Sequence, residues 1–264
     1  MSYELKIYKR IDGKSAPPEL KAVRQLLHLT TTPRIQDKIS RDEPGKRGMN
    51  GKTDICSQVH PLGKSPVLTL DNQVLAESAF IIDHLTTRFG GSLRPPSSDI
   101  PSMLDFQYLL HYAEGTCMPP LTIGYIMQSI KNASVPFFVK PITSMIVSRV
   151  YESYLTPTYD ANFGFLENWL AGEALGPGAG ADGGKEHKDM KVEKDYFVGQ
   201  GKGEFSAVDI LLSYPLMAAQ KGRVQGFDEV RYPRLFAWMG RVKLREAFKR
   251  AEERTREFEP EELM

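Results

Sequence analysis

The chain reads as α/β plus all-α: a small α/β domain followed by an all-helical one. Three observations lead there. Short apolar stretches of period two occur near the start, at Tyr3 to Tyr8 and on either side of Asp71-Asn72, the pattern of half-buried strands. From Met103 onward the apolar residues recur at helical spacing. Between these regions Ser92 to Pro101 is rich in Ser and Pro and has no period, so it reads as an interdomain linker. The expected divisions are 1–89, a linker over 90–101, and 102–264.

Taken in order, the first strand alternates Tyr, Leu and Ile with polar residues and ends before the turn Asp12-Gly13. Pro17-Pro18-Glu19 has the chemistry of a short helical start, where proline costs nothing. Lys64 to Glu77 predicts two strands joined by Asp71-Asn72. Ser78 opens an apolar-periodic run (Phe80, Ile81, Ile82, Leu85), predicting a helix that reaches about Phe89 and stops at Gly90-Gly91. Beyond the linker, helices are expected over Met103 to Thr116, roughly Val139 to Leu155, Tyr159 to Trp169, Ser206 to Ala219 and Pro233 to Glu257. Ser206 and Asp209 make an S-x-x-D capping box.

Composition bounds the function. With 264 residues, 41% hydrophobic and 25% charged, the chain can bury one or two ordinary cores. Thirty-four basic against 33 acidic residues leave a net charge of +1, so no global field draws it to nucleic acid. The N-terminus has no apolar leader and no run of about 18 apolar residues occurs. With two cysteines, Cys56 and Cys117, no disulfide framework is possible, which fits a reducing cytoplasm. Cys117 reads as a small buried hydrophobe. The five histidines are scattered without metal spacing, so no metal is expected.

Chemistry concentrates between residues 60 and 78. A Ser65-Pro66 bond at a strand entrance would offer the backbone N–H and C=O of Ser65 to an extended ligand. Ser78, with Glu77 beside it, presents a hydroxyl and free helix N–H groups to a carboxylate. Backbone pairing at one end and anion capture at the other suit a small peptide.

His60-Pro-Leu-Gly-Lys-Ser-Pro-Val-Leu68 followed by Ala76-Glu-Ser-Ala-Phe-Ile-Ile82 resembles the second half of the thioredoxin-like glutathione domain of the glutathione transferase superfamily, in its fungal and bacterial cytosolic type. His111-Tyr-Ala-Glu-Gly-Thr-Cys-Met-Pro-Pro-Leu121 resembles the first C-terminal helix of that group. Tyr196-Phe-Val-Gly199 with Phe205-Ser-Ala-Val-Asp-Ile210, and Tyr232-Pro-Arg-Leu-Phe-Ala-Trp238, resemble later helices in family order. The resemblance implies a thioredoxin-like domain followed by the superfamily's all-helical domain. It implies glutathione as co-substrate without a further cofactor, a hydrophobic electrophile as second substrate, and a homodimer. Ser65 would hold the cysteinyl unit with Pro66 shaping the turn, Glu77 and Ser78 the γ-glutamyl end, and Lys64, with His60 beside it, the glycyl carboxylate. Of His111, Tyr112 and Glu114 on the first C-terminal helix, one would meet the electrophile; the other reading is a solvent-facing or core-satisfied pair, since His111 and Glu114 are spaced i,i+3. The other class kept open is a non-catalytic relative that binds hydrophobic ligands or protein partners.

Two departures qualify the resemblance. Ser2-Tyr-Glu-Leu-Lys-Ile-Tyr-Lys-Arg10 resembles the family's second strand, so about one βα unit, on the order of 30 residues, has no counterpart. The residue that activates the thiol is therefore unassigned, and the chain as written is expected to have little or no transferase activity. The N-terminal strand and the one after Pro66 are expected to lack the partner that normally lies between them. The second departure is Val23 to Gln58, an insert with no sustained period where Ala22 should run almost directly into His60. Val23-Arg24 can be encoded as GTACGT, Thr53-Asp54 as ACTGAC and Gln58 as CAG, an intron donor, branch site and acceptor in order. The expectation is a translated intron, with Met1 an internal methionine; the alternative is a genuine loop.

Other patterns carry less. Gly178-Ala-Gly-Ala-Asp-Gly183 matches G-x-G-x-x-G but follows a helix and lies in a Gly-rich loop, and Gly184-Lys185 lacks the Ser or Thr of a P-loop. Leu121 to Val150 is apolar but broken by Lys131, Pro136, Lys140 and Pro141, so it does not span a membrane and reads as a possible acceptor wall.

Overall fold

A computed structural model describes residues 5–8, 39–40, 59–62, 66–70, 72–173, 192–199 and 201–256. The chain divides into two compact units, residues 1–94 with 242–264, and residues 95–241.

The first unit holds a four-stranded sheet in the order β2-β1-β3-β4. Its strands are β1 (Leu5–Tyr8), β2 (Ile39–Ser40), β3 (Val67–Leu70) and β4 (Gln73–Ala76). The vacancy expected beside β1 is closed. β1 pairs antiparallel with β3 from Leu5 against Leu70 to Tyr8 against Val67, so the two backbones satisfy each other directly. On its other side β1 pairs in parallel with β2. Within the insert 23–58, Ile39–Ser40 supplies backbone groups to an edge that would otherwise lack them.

β3 and β4 form a hairpin closed by two residues, with Leu70 against Gln73. Asn72 lies at φ 64, a left-handed conformation that asparagine tolerates and a two-residue turn requires. The chain then enters α1 (Ser78–Phe89), as the pattern predicted. Its buried stripe is Ile81, Ile82 and Leu85, packed in a core that includes Val67, Leu68 and Leu70. Phe80, read as part of that stripe, is 54% exposed because it lies on another face of the helix. Gly90 ends α1, its N–H donating to Thr86 O at 3.0 Å. A Cβ there would meet the Thr86 backbone at 2.7 Å, so the close approach requires glycine.

The second unit is helical. α2 (Ile100–Tyr112) starts inside the segment read as linker. Asp99 is the reason: its carboxylate accepts from the Ser102 N–H at 3.2 Å and the Ser102 hydroxyl at 2.7 Å, and Pro101 suits the first turn. A π-turn over Ala113–Cys117 carries α2 into α3 (Met118–Lys131), a helix the sequence pattern did not assign. Pro119 and Pro120 fall in its first turn, where their missing N–H groups are not needed. In the same way α4 (Lys140–Val150) passes through a π-turn at Tyr151–Leu155 into α5 (Thr156–Leu170), so two expected helices are one rod. α6 (Ala207–Ala218) begins at the Ser206 cap, as read. The last helical stretch divides into α7 (Pro233–Leu244), whose residues to Arg241 belong to the second unit, and α8 (Glu246–Arg256), whose residues belong to the first. Trp238, Phe106, Phe163 and Phe197 are fully buried in the second unit. The G-x-G-x-x-G match and Gly184-Lys185 lie outside the described residues.

Candidate functional site

The β4–α1 junction is an elbow made by one residue. Glu77 lies at φ 72 and ψ 122, and with Asn72 it is one of two described non-glycine residues at positive φ. Its carbonyl accepts the Ile81 N–H at 2.9 Å, so the helix starts on Glu77 while the Glu77 backbone still turns out of the strand. The N–H groups of Ser78, Ala79 and Phe80 precede the first intrahelical donor and point out of the helix start. Ser78 is only 5% exposed, and the Glu77 side chain is exposed. The first turn of α1 carries no acidic residue, so the positive end of the helix dipole is not neutralised from within it. The arrangement favours a small anion held by backbone N–H groups and one hydroxyl.

Pro66 is buried at the entrance to β3. Lys64 and Ser65, placed by the sequence beside it, lie outside the described residues. His60 sits half-buried in the turn before them and accepts the Leu62 N–H on Nδ1 at 3.3 Å. In the neutral ring that bond leaves the proton on Nε2. Residues Pro66, Glu77, Ser78 and His60 thus belong to the first unit.

His111, Tyr112 and Glu114 stand in different environments in the second unit. His111 is exposed and Glu114 half-buried in the π-turn. Tyr112 is buried, its hydroxyl 3.2 Å from the Asn162 carbonyl and 3.1 Å from Asn162 Oδ1. Burial, then the neighbouring Cys117 and Tyr108, raise its pKa, so the phenol stays neutral. Asn162 Nδ2 in turn donates to Thr116 O at 3.3 Å, inside the π-turn. Tyr112 and Asn162 therefore pin the bulge to α5. Cys117 is 1% exposed, and burial, then Glu114, pushes its thiol up to about 12. Such a thiol is inert at neutral pH.

An aromatic cluster beside these residues escaped the sequence reading. Tyr108 and Tyr112 on α2 face Phe165 and Trp169 on α5, with Tyr108 stacked on Trp169 at 6.0 Å and Tyr112 5.0 Å from Phe165. Lys194 lies 5.8 Å over the Trp169 ring and 3.9 Å from Asp105. The signal was present as two i,i+4 aromatic pairs. Among the described residues no group of three His, Cys, Asp or Glu side chains is arranged to hold a metal ion.

Comparison with known proteins places these features. The family model described as "Glutathione S-transferase, N-terminal domain" matches residues 46–93, which include the hairpin and the elbow. Glutathione S-transferase 1 of Saccharomyces cerevisiae is 24% identical over 97% of this chain and 86% of its own length. Glutathione S-transferase 3 of Schizosaccharomyces pombe is 23% identical over 96% of this chain and 77% of its own length. Among solved structures, Ure2p5 of Phanerochaete chrysosporium, cocrystallised with 1-(S-glutathionyl)-2,4-dinitrobenzene, aligns with a TM-score of 0.65 at 14% identity. It covers 98% of this chain and 97% of that one. Ure2p in complex with glutathione aligns with a TM-score of 0.63 at 14% identity, over 95% and 99%. These structures share the fold: a thioredoxin-like domain followed by a helical one.

Proposed function

We propose that this chain, which belongs to the glutathione transferase superfamily by fold and sequence likeness, conjugates the thiol of glutathione to hydrophobic electrophiles. The observation that carries the reading is the elbow, with Glu77 at φ 72 and Ser78 buried at the start of α1. The γ-glutamyl carboxylate accepts from the Ser78 hydroxyl and N–H, and the Glu77 carboxylate meets the γ-glutamyl ammonium. The Ser65 backbone pairs with the cysteinyl unit, Pro66 fixes that turn, and Lys64 with His60 meets the glycyl carboxylate; for Lys64 and Ser65 the support is the sequence resemblance. The electrophile is received at the end of α2 and the π-turn after it, where His111 is exposed and Glu114 half-buried, with Tyr112 between them buried against Asn162.

In the reaction the glutathione sulfur, as thiolate, forms a new C–S bond to the electrophilic carbon and the leaving group departs with the electron pair of its bond. Holding both reactants supplies most of the acceleration. The reading includes a homodimer in the reducing cytoplasm. Among the described residues no helix is long and apolar enough to cross a membrane.

The test is titration of the full chain with glutathione, followed by conjugation to 1-chloro-2,4-dinitrobenzene with light scattering for the dimer. Saturable binding and turnover support the transferase. Binding without turnover supports the second reading, a non-catalytic glutathione-transferase-like binding or interaction module, which the buried, fully engaged Tyr112 hydroxyl favours. Absence of glutathione binding would sink both uses of the elbow.

A further inference from the structure

The α3–α4 hairpin turns an apolar face to solvent. On α3, Tyr125 is 63% and Ile126 47% exposed; on the connection, Phe137 is 84% and Phe138 65% exposed. On α4, Ile142, Met145 and Ile146 are each more than half exposed and follow i, i+3, i+4 spacing, so they form one stripe. Such a stripe normally faces a core, and left exposed together with the adjoining Phe137 and Phe138, whose rings meet edge to face, it marks an interaction surface.

The charge pattern selects the occupant. From Gly115 to Tyr151 the sequence contains no Asp or Glu, while Lys131, Lys140 and Arg149 all fall within it. Lys131, Lys140 and Arg149 are exposed, and Arg149 lies 4.0 Å from Glu152 at the foot of α4. The segment after α6 adds exposed Lys221 and Arg223, with the Arg223 guanidinium 5.9 Å over the Tyr125 ring. A second copy applying the same face would bring these cations against their own counterparts, with no carboxylate from the hairpin to pair them. An apolar face fringed by cations instead matches a bilayer whose headgroups are anionic and whose acyl boundary accepts aromatic and aliphatic side chains.

We propose that the α3–α4 hairpin docks on the surface of membranes containing anionic lipid, with Phe137 and Phe138 entering the interface and Lys131 and Lys140 at headgroup level. The long stems of the two lysines lie along the apolar surface while their ammonium groups stay among the phosphates. The contact is peripheral, and it delivers the protein to a phase in which hydrophobic electrophiles concentrate.

Flotation of the full chain with vesicles tests this. Vesicles of phosphatidylcholine alone are compared with an equal mixture of phosphatidylcholine and phosphatidylserine, without glutathione, so the outcome is independent of the transferase reading. The protein floats with the mixed vesicles and about tenfold less with phosphatidylcholine alone, and raised salt weakens binding. Phe137→Ser with Phe138→Ser lowers the bound fraction about tenfold or more, and Lys131→Gln with Lys140→Gln lowers it on mixed vesicles. Unchanged circular dichroism confirms that both variants fold, as expected at exposed positions. Failure of the wild-type chain to float overturns the proposal, as does a Phe137→Ser, Phe138→Ser protein that floats equally well. Conversion of a dimer to a monomer by the same pair overturns it too, and assigns the face to a second copy.

Discussion

The indole N–H of Trp238 donates to Oδ1 of Asp209 at 2.8 Å, joining α7 to the start of α6. The same carboxylate accepts from the Ser206 N–H at 2.8 Å, the Ser206 hydroxyl at 3.1 Å and the Phe197 N–H at 3.3 Å. Both residues are fully buried. A residue legible as a helix cap is thus also the acceptor on which three segments converge. Asp209→Ala leaves several buried donors without partners. Each costs about 1–3 kcal/mol, so a loss of about 3 kcal/mol or more is expected. Urea unfolding measures it, and a loss under about 1 kcal/mol would show that water replaces the carboxylate.

Glycine at position 77 should relieve the elbow. Glu77 occupies a region usually left to glycine, and such strain costs on the order of 1–3 kcal/mol. Glu77→Gly is therefore expected to raise the unfolding free energy by about 1 kcal/mol while weakening glutathione binding. Gains in both would remove the Glu77 side chain from the site.

Ser78→Ala tests the other half of the anion site. Losing one hydrogen bond to a charged, buried group should weaken glutathione binding by roughly 1–3 kcal/mol without changing the fold. Calorimetric titration reads the difference, and unchanged affinity would exclude the Ser78 hydroxyl.

Alkali should expose Cys117. Its folded pKa of about 12 lies above the ordinary thiol value of 9.0, so the stabilisation is fully present below about pH 9 and is lost as pH rises towards 12. With each pH unit worth about 1.4 kcal/mol, the loss is on the order of 4 kcal/mol at most. Cys117→Ala should flatten this part of the stability curve relative to the wild type. In a Cys56→Ser background the native protein should also resist a thiol-specific reagent at neutral pH. Rapid labelling would contradict the buried placement.

Gly124 has a packing reason to be small. A Cβ there would run into the Tyr159 hydroxyl, which is held by donation to Pro120 O at 3.0 Å. The Gly124 carbonyl also accepts from the Tyr151 hydroxyl at 3.2 Å. Gly124→Ala should destabilise by about 1–3 kcal/mol, despite the better helix propensity of alanine, because the pinned tyrosine must move. A higher Tm would show that α3 and α5 separate more easily than this packing implies.

Signals confined to a few neighbouring residues determined the hairpin around Asp71-Asn72, the helix from Ser78 to Gly90, the capping box at Ser206 and Asp209, and the order of a mixed domain before a helical one. These depend on turn chemistry and on i to i+4 spacing, which any short segment carries within itself. The tertiary structure alone decided what depends on distant residues. It chose β3 as the partner of β1 and drew Ile39–Ser40 to the other edge, because strand backbones pair with whatever segment the fold brings alongside. It buried Tyr112 against Asn162 while leaving His111, one position earlier, exposed, because the path of α5 selects which face of α2 is covered. It let α2 pass into α3 despite Pro119-Pro120, because the π-turn, tied through Thr116 to Asn162, puts those prolines in a first turn. And it left much of the apolar run after Leu121 exposed: spacing shows that side chains share a face, and only packing decides whether that face meets a core or solvent.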